Sequence, residues 1–512
     1  MAGLVVTVAV FGSAPFAAIA GALLGRWSKD AAARVAAGAV GVGWLSALAL
    51  GVLHGGDPGS TGLATMASLG VQIDALAVVM LLMVLGLSTV IQFFAVRYLR
   101  GDARQLWFVV TANALTAATV VMVCAHTVLW FTVAWLAAGV SLVALLGTYS
   151  HLAQARSGAR RTAVRFMLGD LALVGAVCLL MVTARGDVDL NEVGNVLHRL
   201  PSGLDVVVTV ILVIPALARS SQVPFHGWLP ATLAAPTPVS ALMHAGVVNA
   251  GAILILRFSP AIGQDTPALA LIFCAGALTL AYASVVRLVK PDAKGRLVFS
   301  TMAQMGYMML ACGLGAFAAA VFHLVAHGLF KSALFLGAGS GVAREARQRA
   351  WPVQRATPWP IAAASIVVAV TIPGAAIIAA RTLVGVELTA ASQALQLFVV
   401  FTAGVALGAA LWTHFSVATV TIGVVAITAL AFGYTAAVAL FEHSLHFGPI
   451  PAAVGPLWLV IPATVLLSLQ LLQRNKWGGL VAPRIFALAL TAGIPTTTVP
   501  RRPQPSQKET TS

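Results

Sequence analysis

Charge is scarce in this chain. Of its 512 residues only 9% are Asp, Glu, Lys or Arg, while 60% are hydrophobic; soluble domains carry roughly 25% charged residues. No soluble core needs so much apolar sequence, so the composition is that of a polytopic membrane protein. Cysteine is equally thin. Cys124, Cys178, Cys274 and Cys312 stand singly, each in an apolar run, and no CxxC pair occurs. That leaves no thiolate set for zinc or an iron–sulfur centre and no disulfide framework. Nucleotide loops of the GxxxxGK type, a Rossmann fingerprint and haem or flavin motifs are also missing, so ATP hydrolysis and electron transfer are not expected of this chain. Acidic residues are few enough to leave a net charge of +15. The basic residues, however, sit in short loops between apolar runs, where membrane topology places them, and no nucleic-acid partner is implied.

The apolar runs lie near 4–24, 35–53, 75–96, 107–124, 127–148, 164–184, 204–234, 238–257, 266–287, 297–314, 316–341, 358–380, 392–413, 417–441 and 454–473. They predict about fifteen spans. No Lys or Arg precedes the first run, whereas Arg26, Lys29 and Arg34 follow it. An uncleaved first span with its N-terminus outside is therefore expected, rather than a signal peptide. Basic loops carry Arg97, Arg100 and Arg104, then Arg156, Arg160, Arg161 and Arg165, then Arg287, Lys290, Lys294 and Arg296, then Arg344, Arg347, Arg349 and Arg355. They alternate with 54–74, the turn at Ala125-His126 and the partly acidic 185–205. On that count every strongly basic loop faces the cytoplasm, as does the C-terminus. WGGLVAPRIFALALTAGIP reads as a short interfacial helix, and the polar, Pro-rich end as a disordered tail.

The centre of the chain is RSSQVPFHGWLPATLAAPTPVSALMHAGVVNAG, from Arg219 to Gly251. A charge at mid-bilayer costs on the order of 2.5–3.5 kcal/mol. Broken, polar backbone is tolerated there only inside protein or along a cavity. Pro215, Pro224 and Pro230 each lack a backbone donor, which predicts a helix broken near Arg219–Val223. The default reading of such a stretch is an ion pathway. His244 lies one turn after Ser240, with Asn249 beyond; it is either a pathway group or a packed core histidine.

A second constellation is FHLVAHGLFK, in which His323, His327 and Lys331 are spaced by four. They form a stripe about 12 Å long on one helix face. Imidazoles and a desolvated amine in a row make a workable proton relay. A metal-binding His pair without a third ligand, or three polar groups satisfied by neighbouring helices, are the other readings. Ser300, Gln304 and Tyr307 recur at helical spacing and either hold water or bond to adjacent helices. Asp170 is the nearest acid within a span; it pairs with Arg219 or sits near an interface by Arg165. Glu387, with Arg381, is an outer-side pair or the exit of a second half-channel. Glu442, His443 and His446 read as a solvated external group.

SSQVPFHGWLP followed by PTPVSALMHAG resembles the core signature of the proton-translocating antiporter-like family. That family includes the antiporter-like subunits of respiratory complex I and of Mrp-type cation/proton antiporters. From about Arg97 to Gly341 the variant most resembles the DabB family, the membrane subunits of Dab inorganic-carbon uptake complexes. Their soluble DabA partners are zinc proteins similar to carbonic anhydrase. The resemblance implies an all-α polytopic fold with two inverted five-helix repeats, each with a broken helix. The layout is then N-terminal spans 1–96, a first repeat 97–257, a second repeat 258–413, C-terminal spans 414–494 and a tail 495–512. The second broken helix is expected over 358–384, interrupted at Pro373-Gly374.

The same resemblance implies a proton pathway through Asp170, Arg219, His244, His323, His327 and Lys331, with Ser300, Gln304, Tyr307 and Glu387 as further pathway candidates. Two positions depart from the family. Arg219 stands where relatives carry Lys, and arginine cannot act as a proton-releasing group. Span five, WFTVAWLAAGVSL, has Leu136 or a neighbour where complex I and Mrp relatives have Glu, and no acid lies between Asp102 and Asp170.

The implied function is conduction of protons, or of sodium ions, in a bacterial inner membrane. That flux would energise bicarbonate or CO2 uptake by a DabA-like zinc partner. An antiporter-like subunit of complex I or a related redox complex, and an Mrp-type antiporter subunit, are the alternatives. The chain has no carbonic-anhydrase-like ligand set, so it is expected to hold no cofactor and to leave catalysis to its partner.

Overall fold

A computed structural model describes residues 2–54, 65–66, 70–290, 292–337, 359–385, 388–413, 416–445, 447, 450, 455–465 and 468. Helices α1 (Ala2–Leu24) and α2 (Lys29–His54) lead to a two-stranded antiparallel hairpin, β1 (Thr65–Met66) and β2 (Val71–Gln72). Then come α3 (Ala75–Tyr98), α4 (Gln105–Val123), α5 (Val128–Leu146), α6 (Ala153–Ala184), the short α7 (Val193–Leu197) and α8 (Leu204–Arg219). A 3-10 segment, Phe225–Thr232, precedes α9 (Thr237–Ala245), α10 (Ala250–Arg257), the short α11 (Ser259–Ile262), α12 (Thr266–Val289), α13 (Ala293–Gly313) and α14 (Phe317–Leu336). The last are α15 (Trp359–Val384), α16 (Ala390–Thr413) and α17 (Val417–Leu445).

Among the described residues, ten helices are long and apolar enough to cross a membrane. Their starts are written in local chemistry: Asp74, Thr127, Asp265 and Asp292 each cap a helix by accepting a backbone N–H three residues on. Close packing needs glycine where α12 meets α13. A Cβ on Gly276 or on Gly306 would come within 2.6 Å of backbone atoms of the other helix.

The expected break falls at the end of α8. Ser221 takes a left-handed φ of 55° there, and the freed backbone groups find partners nearby. Thr279 Oγ1 on α12 accepts from Val223 N at 2.9 Å, and Trp228 Nε1 donates to Ala218 O at 2.9 Å. The next span differs from the expectation of one helix over 238–257. It is interrupted between α9 and α10 by a 3-10 turn, Val247–Asn249, and is almost wholly enclosed. The second expected break is also corrected: α15 runs helically through Pro373 from Trp359 to Val384. A proline removes one donor and crowds one carbonyl, which a helix absorbs unless neighbours draw the backbone away. The interfacial helix, the tail, the loop from Arg344 to Arg355, Glu387 and His446 lie outside the described residues.

Candidate functional site

Two buried polar centres lie on and beside the broken spans. The first is built on Arg219, the last residue of α8, which has 0% exposure. Its Nη2 donates to Asp170 Oδ1 at 3.1 Å and to the carbonyl of Trp135 at 2.8 Å. The Trp135 indole donates to the same Asp170 oxygen at 2.7 Å. The guanidinium carbon lies 4.2 Å from the Trp135 ring centroid and 4.7 Å from that of Phe166, within cation–π range. So α5, which carries no acid, contributes a carbonyl and an aromatic face, while the countercharge comes from α6. Arg219 is held inside the protein and does not reach for an interface.

Asp170 lies at the rim of a groove of about 390 Å³ between α5 and α6. Arg219 Nε and Nη1 are buried and find no partner among the described residues. Gly139 leaves the room that the guanidinium fills, because a Cβ there would lie 2.5 Å from Nη2. Gly139→Ala should therefore push the guanidinium off Asp170 and cost about 1–3 kcal/mol, read as a lower unfolding midpoint. Adding Arg219→Lys, which deletes the atom the methyl meets, should recover part of that loss.

The two breaks touch each other. Ser220 Oγ donates to Val248 O at 2.8 Å, and Gly251 sits against Ala216 O and Ser220 Oγ, where a Cβ would lie at 2.2 and 2.3 Å. Just before the second break His244, fully buried, stacks on Phe335 of α14 with ring centroids 4.3 Å apart and planes 7° apart. Both its ring nitrogens lack a partner among the described residues. Through this stack the broken span meets the α14 stripe.

On α14, His323 and His327 stack at 5.8 Å, and Tyr307 of α13 lies 4.8 Å from His323. Lys331 is 1% exposed; its Nζ donates to Ser300 Oγ at 2.8 Å and to Leu297 O at 3.4 Å. No carboxylate ion-pairs with it among the described residues. The geometry thus brings Ser300, Lys331, His327, His323 and Tyr307 into one column, with Lys331 and His327 buried, the other three half-buried and His244 at its side. Gln304 is half-buried on α13 between Ser300 and Tyr307. Asp170 and Arg219 form a separate, internally neutral pair. Among the described residues, no group of three or more His, Cys, Asp and Glu is placed to hold a metal ion.

Three features escape sequence reasoning. Lys294 Nζ donates to Leu233 O at 2.7 Å and Ala235 O at 2.6 Å, holding the end of the 3-10 segment from across the fold. Arg257 makes a two-point ion pair with Asp74, at 2.5 and 3.1 Å, and also reaches the Val123 carbonyl. Burial raises the Asp74 pKa, but the Arg257 charge and hydrogen bonds outweigh it and hold the carboxyl below its usual value. The third is Glu442, read from sequence as solvated. It accepts from Thr389 Oγ1 at 2.9 Å, Thr389 N at 3.3 Å and Ser392 Oγ at 2.5 Å, tying α17 to the start of α16. These contacts span from 50 to 183 residues of chain, and no local pattern announces them.

Comparison with known proteins gives two family matches. The model described as "NADH:quinone oxidoreductase/Mrp antiporter, TM" matches residues 125–404, and "NADH-Ubiquinone oxidoreductase (complex I), chain 5 N-terminus" matches 64–109. A "probable inorganic carbon transporter subunit DabB1" of Halothiobacillus neapolitanus is 39% identical over 54% of this chain and 50% of its own. The corresponding DabB of Bacillus anthracis is 36% identical over 53% of each chain. The NADH-ubiquinone oxidoreductase chain 5 of Metridium senile is 34% identical over 53% of this chain and 45% of its own. The aligned region is about half the length of the curated relatives. Among solved structures, the Mrp complex from a Dietzia species superposes with a TM-score of 0.58 at 25% identity, over 96% of this chain and 52% of that one. The archaeal membrane-bound sulfane sulfur reductase superposes at 0.62 and 17% identity, over 96% and 97%.

Proposed function

Because this chain belongs to the NADH:quinone oxidoreductase/Mrp antiporter family of membrane subunits and has its antiporter-like fold, we propose that it conducts protons, or sodium ions, through its buried column. The flux energises inorganic-carbon uptake by a bound DabA-like zinc subunit, which carries the catalysis. The observation that carries this reading is Lys331, a buried amine held among the described residues by a hydroxyl and a carbonyl at one end of a stacked His pair. Lysine exchanges its proton when buried, as arginine does not. Imidazole accepts on one nitrogen and donates from the other. Asp170 and Arg219 act as a fixed dipole near the break, and His244 couples the break to the column. In this reading the protein sits in a bacterial inner membrane with its N-terminus outside. Support for the carbon-uptake role comes from the relatives named as inorganic carbon transporter subunits, at 36–39% identity.

A charge crossing 100 mV releases about 2.3 kcal/mol, enough to bias a cycle in an attached subunit. Expressed with its zinc partner in a bacterium lacking carbonic anhydrase, the chain should restore growth in air. An uncoupler should then stop inorganic-carbon accumulation. Accumulation that persists after the gradient collapses would overturn the reading.

A second reading, an antiporter-like subunit of a redox complex or an Mrp antiporter, is favoured by the 34% identity to complex I chain 5 over a stretch of similar length. Against it stands α5, where Trp135 and Gly139 surround Arg219 and no acid is present. Purification with quinone-reductase subunits and no zinc protein would decide for the second reading.

A further inference from the structure

We propose that Glu442 is the port at which the proton path meets water on the membrane face opposite the basic loops, and that α16 and α17 connect it to the column through Tyr434, Gln396 and Ser392. This rests on the conduction reading above and names one end of its route. The face is set by packing. Phe447, just beyond α17, lies edge-on to Phe317 at the start of α14, with centroids 5.4 Å apart. Ile450 lies against Gly315 and Gly263, at the ends of α13 and α11. Lys294 and Arg296 lie at the other end of α13. The Glu442 end of α17 is thus on the side away from them.

From Glu442 the polar groups lead inward. Ser392, 0% exposed, donates to the carboxylate. One turn along α16, Gln396 donates to Thr435 Oγ1 of α17 at 3.3 Å, while its own Oε1 is buried with no partner among the described residues. Beside Thr435, the Tyr434 hydroxyl is likewise buried with no partner among the described residues. The Tyr434 ring lies edge-on to Phe322, the chain neighbour of His323, at 5.2 Å. Tyr307 closes the junction from the other side, with its ring 4.8 Å from His323 and 5.9 Å from Phe398 of α16. An unsatisfied buried polar atom costs about 1–3 kcal/mol, and such atoms call for an explanation. An acceptor and a hydroxyl left open in succession, between a stacked His and a carboxylate, mark a path that transient water completes. Tyr434 and Glu442 are eight residues apart on one helix, about 12 Å, a span of a few waters.

The step is a proton transfer without other chemistry. The Glu442 carboxylate takes a proton from hydronium at that face, leaving water, and becomes a carboxylic acid. It passes that proton through water ordered by Gln396 and the Tyr434 hydroxyl to a His323 ring nitrogen, and returns to carboxylate. Under a reversed gradient the same groups run backwards.

The test uses membrane vesicles carrying the full chain with its partner, and reads proton flux under an imposed potassium diffusion potential. Glu442→Gln keeps an oxygen for Thr389 and Ser392 but cannot carry the proton, and flux should fall by at least about tenfold. Glu442→Asp should hold flux within about threefold of the parent, because it keeps a carboxyl at that end. Thr389→Ala, which removes a cap contact and leaves the carboxylate, should keep flux. Parent-like flux in Glu442→Gln overturns the port. So does equal loss in Glu442→Gln, Glu442→Asp and Thr389→Ala with lowered unfolding midpoints, which would make Glu442 a cap only. Lys331→Ala in the same assay separates the two ideas: if it retains flux, the column itself fails, whereas if it alone loses flux, only the port fails.

Discussion

Lys331→Ala is expected to abolish gradient-driven transport while the protein still inserts and folds. Lys331 is fully buried on α14, with one hydroxyl and one carbonyl as its partners. No carboxylate among the described residues pairs with it, so its removal should cost little in stability, because the desolvation penalty of the buried amine disappears with it. What disappears too is the one amine of the column. A positioned proton donor is worth roughly 100- to 10,000-fold in rate, so flux should drop by at least about a hundredfold. Lys331→Arg keeps the charge but does not give up its proton, and it should be equally inactive. Near-normal uptake by a well-expressed Lys331→Ala protein would remove this residue from the path.

Asp170 and Arg219 should behave as one unit. Losing Asp170 leaves a buried, uncompensated guanidinium, which costs about 3–5 kcal/mol, and losing Arg219 leaves a half-buried carboxylate without its countercharge, which costs less. Asp170→Ala strands the guanidinium between Trp135 and Phe166, and Arg219→Ala leaves the carboxylate to the Trp135 indole. The double variant should be no worse than either single one; additive losses in the double-mutant cycle would mean that the pair does not interact. Arg219→Lys keeps the charge but loses the flat face that stacks on the two rings. It should cost about 1–2 kcal/mol and remain assembled, and complete loss would show that the guanidinium fork itself is required.

The sequence by itself determined that the chain is a series of apolar membrane-length helices, the position of the first break and the spacing of the α14 stripe, while its count of about fifteen spans stands against ten among the described residues. Each is a local consequence of strong physics. Hydrocarbon thickness sets the length of an apolar run, lost donors and costly charges mark where backbone can part, and 3.6 residues per turn aligns His323, His327 and Lys331. Only the tertiary structure decided which partner each buried group received. Whether a polar or proline-bearing stretch opens depends on what neighbours offer the freed backbone. At Ser220–Trp228 the partners include Thr279 from α12 and Ser220's own bond to Val248, and the span opens. At Pro373 the helix continues, and at Gly246–Asn249, with no proline at all, it parts against Gly251 and α8. Likewise Asp170 reaches Arg219 across 49 residues and Glu442 reaches Ser392 across 50. Such pairings are chosen by helix packing, because in a bilayer every polar group must find its partner inside the protein, and the chain carries no local record of where that partner stands.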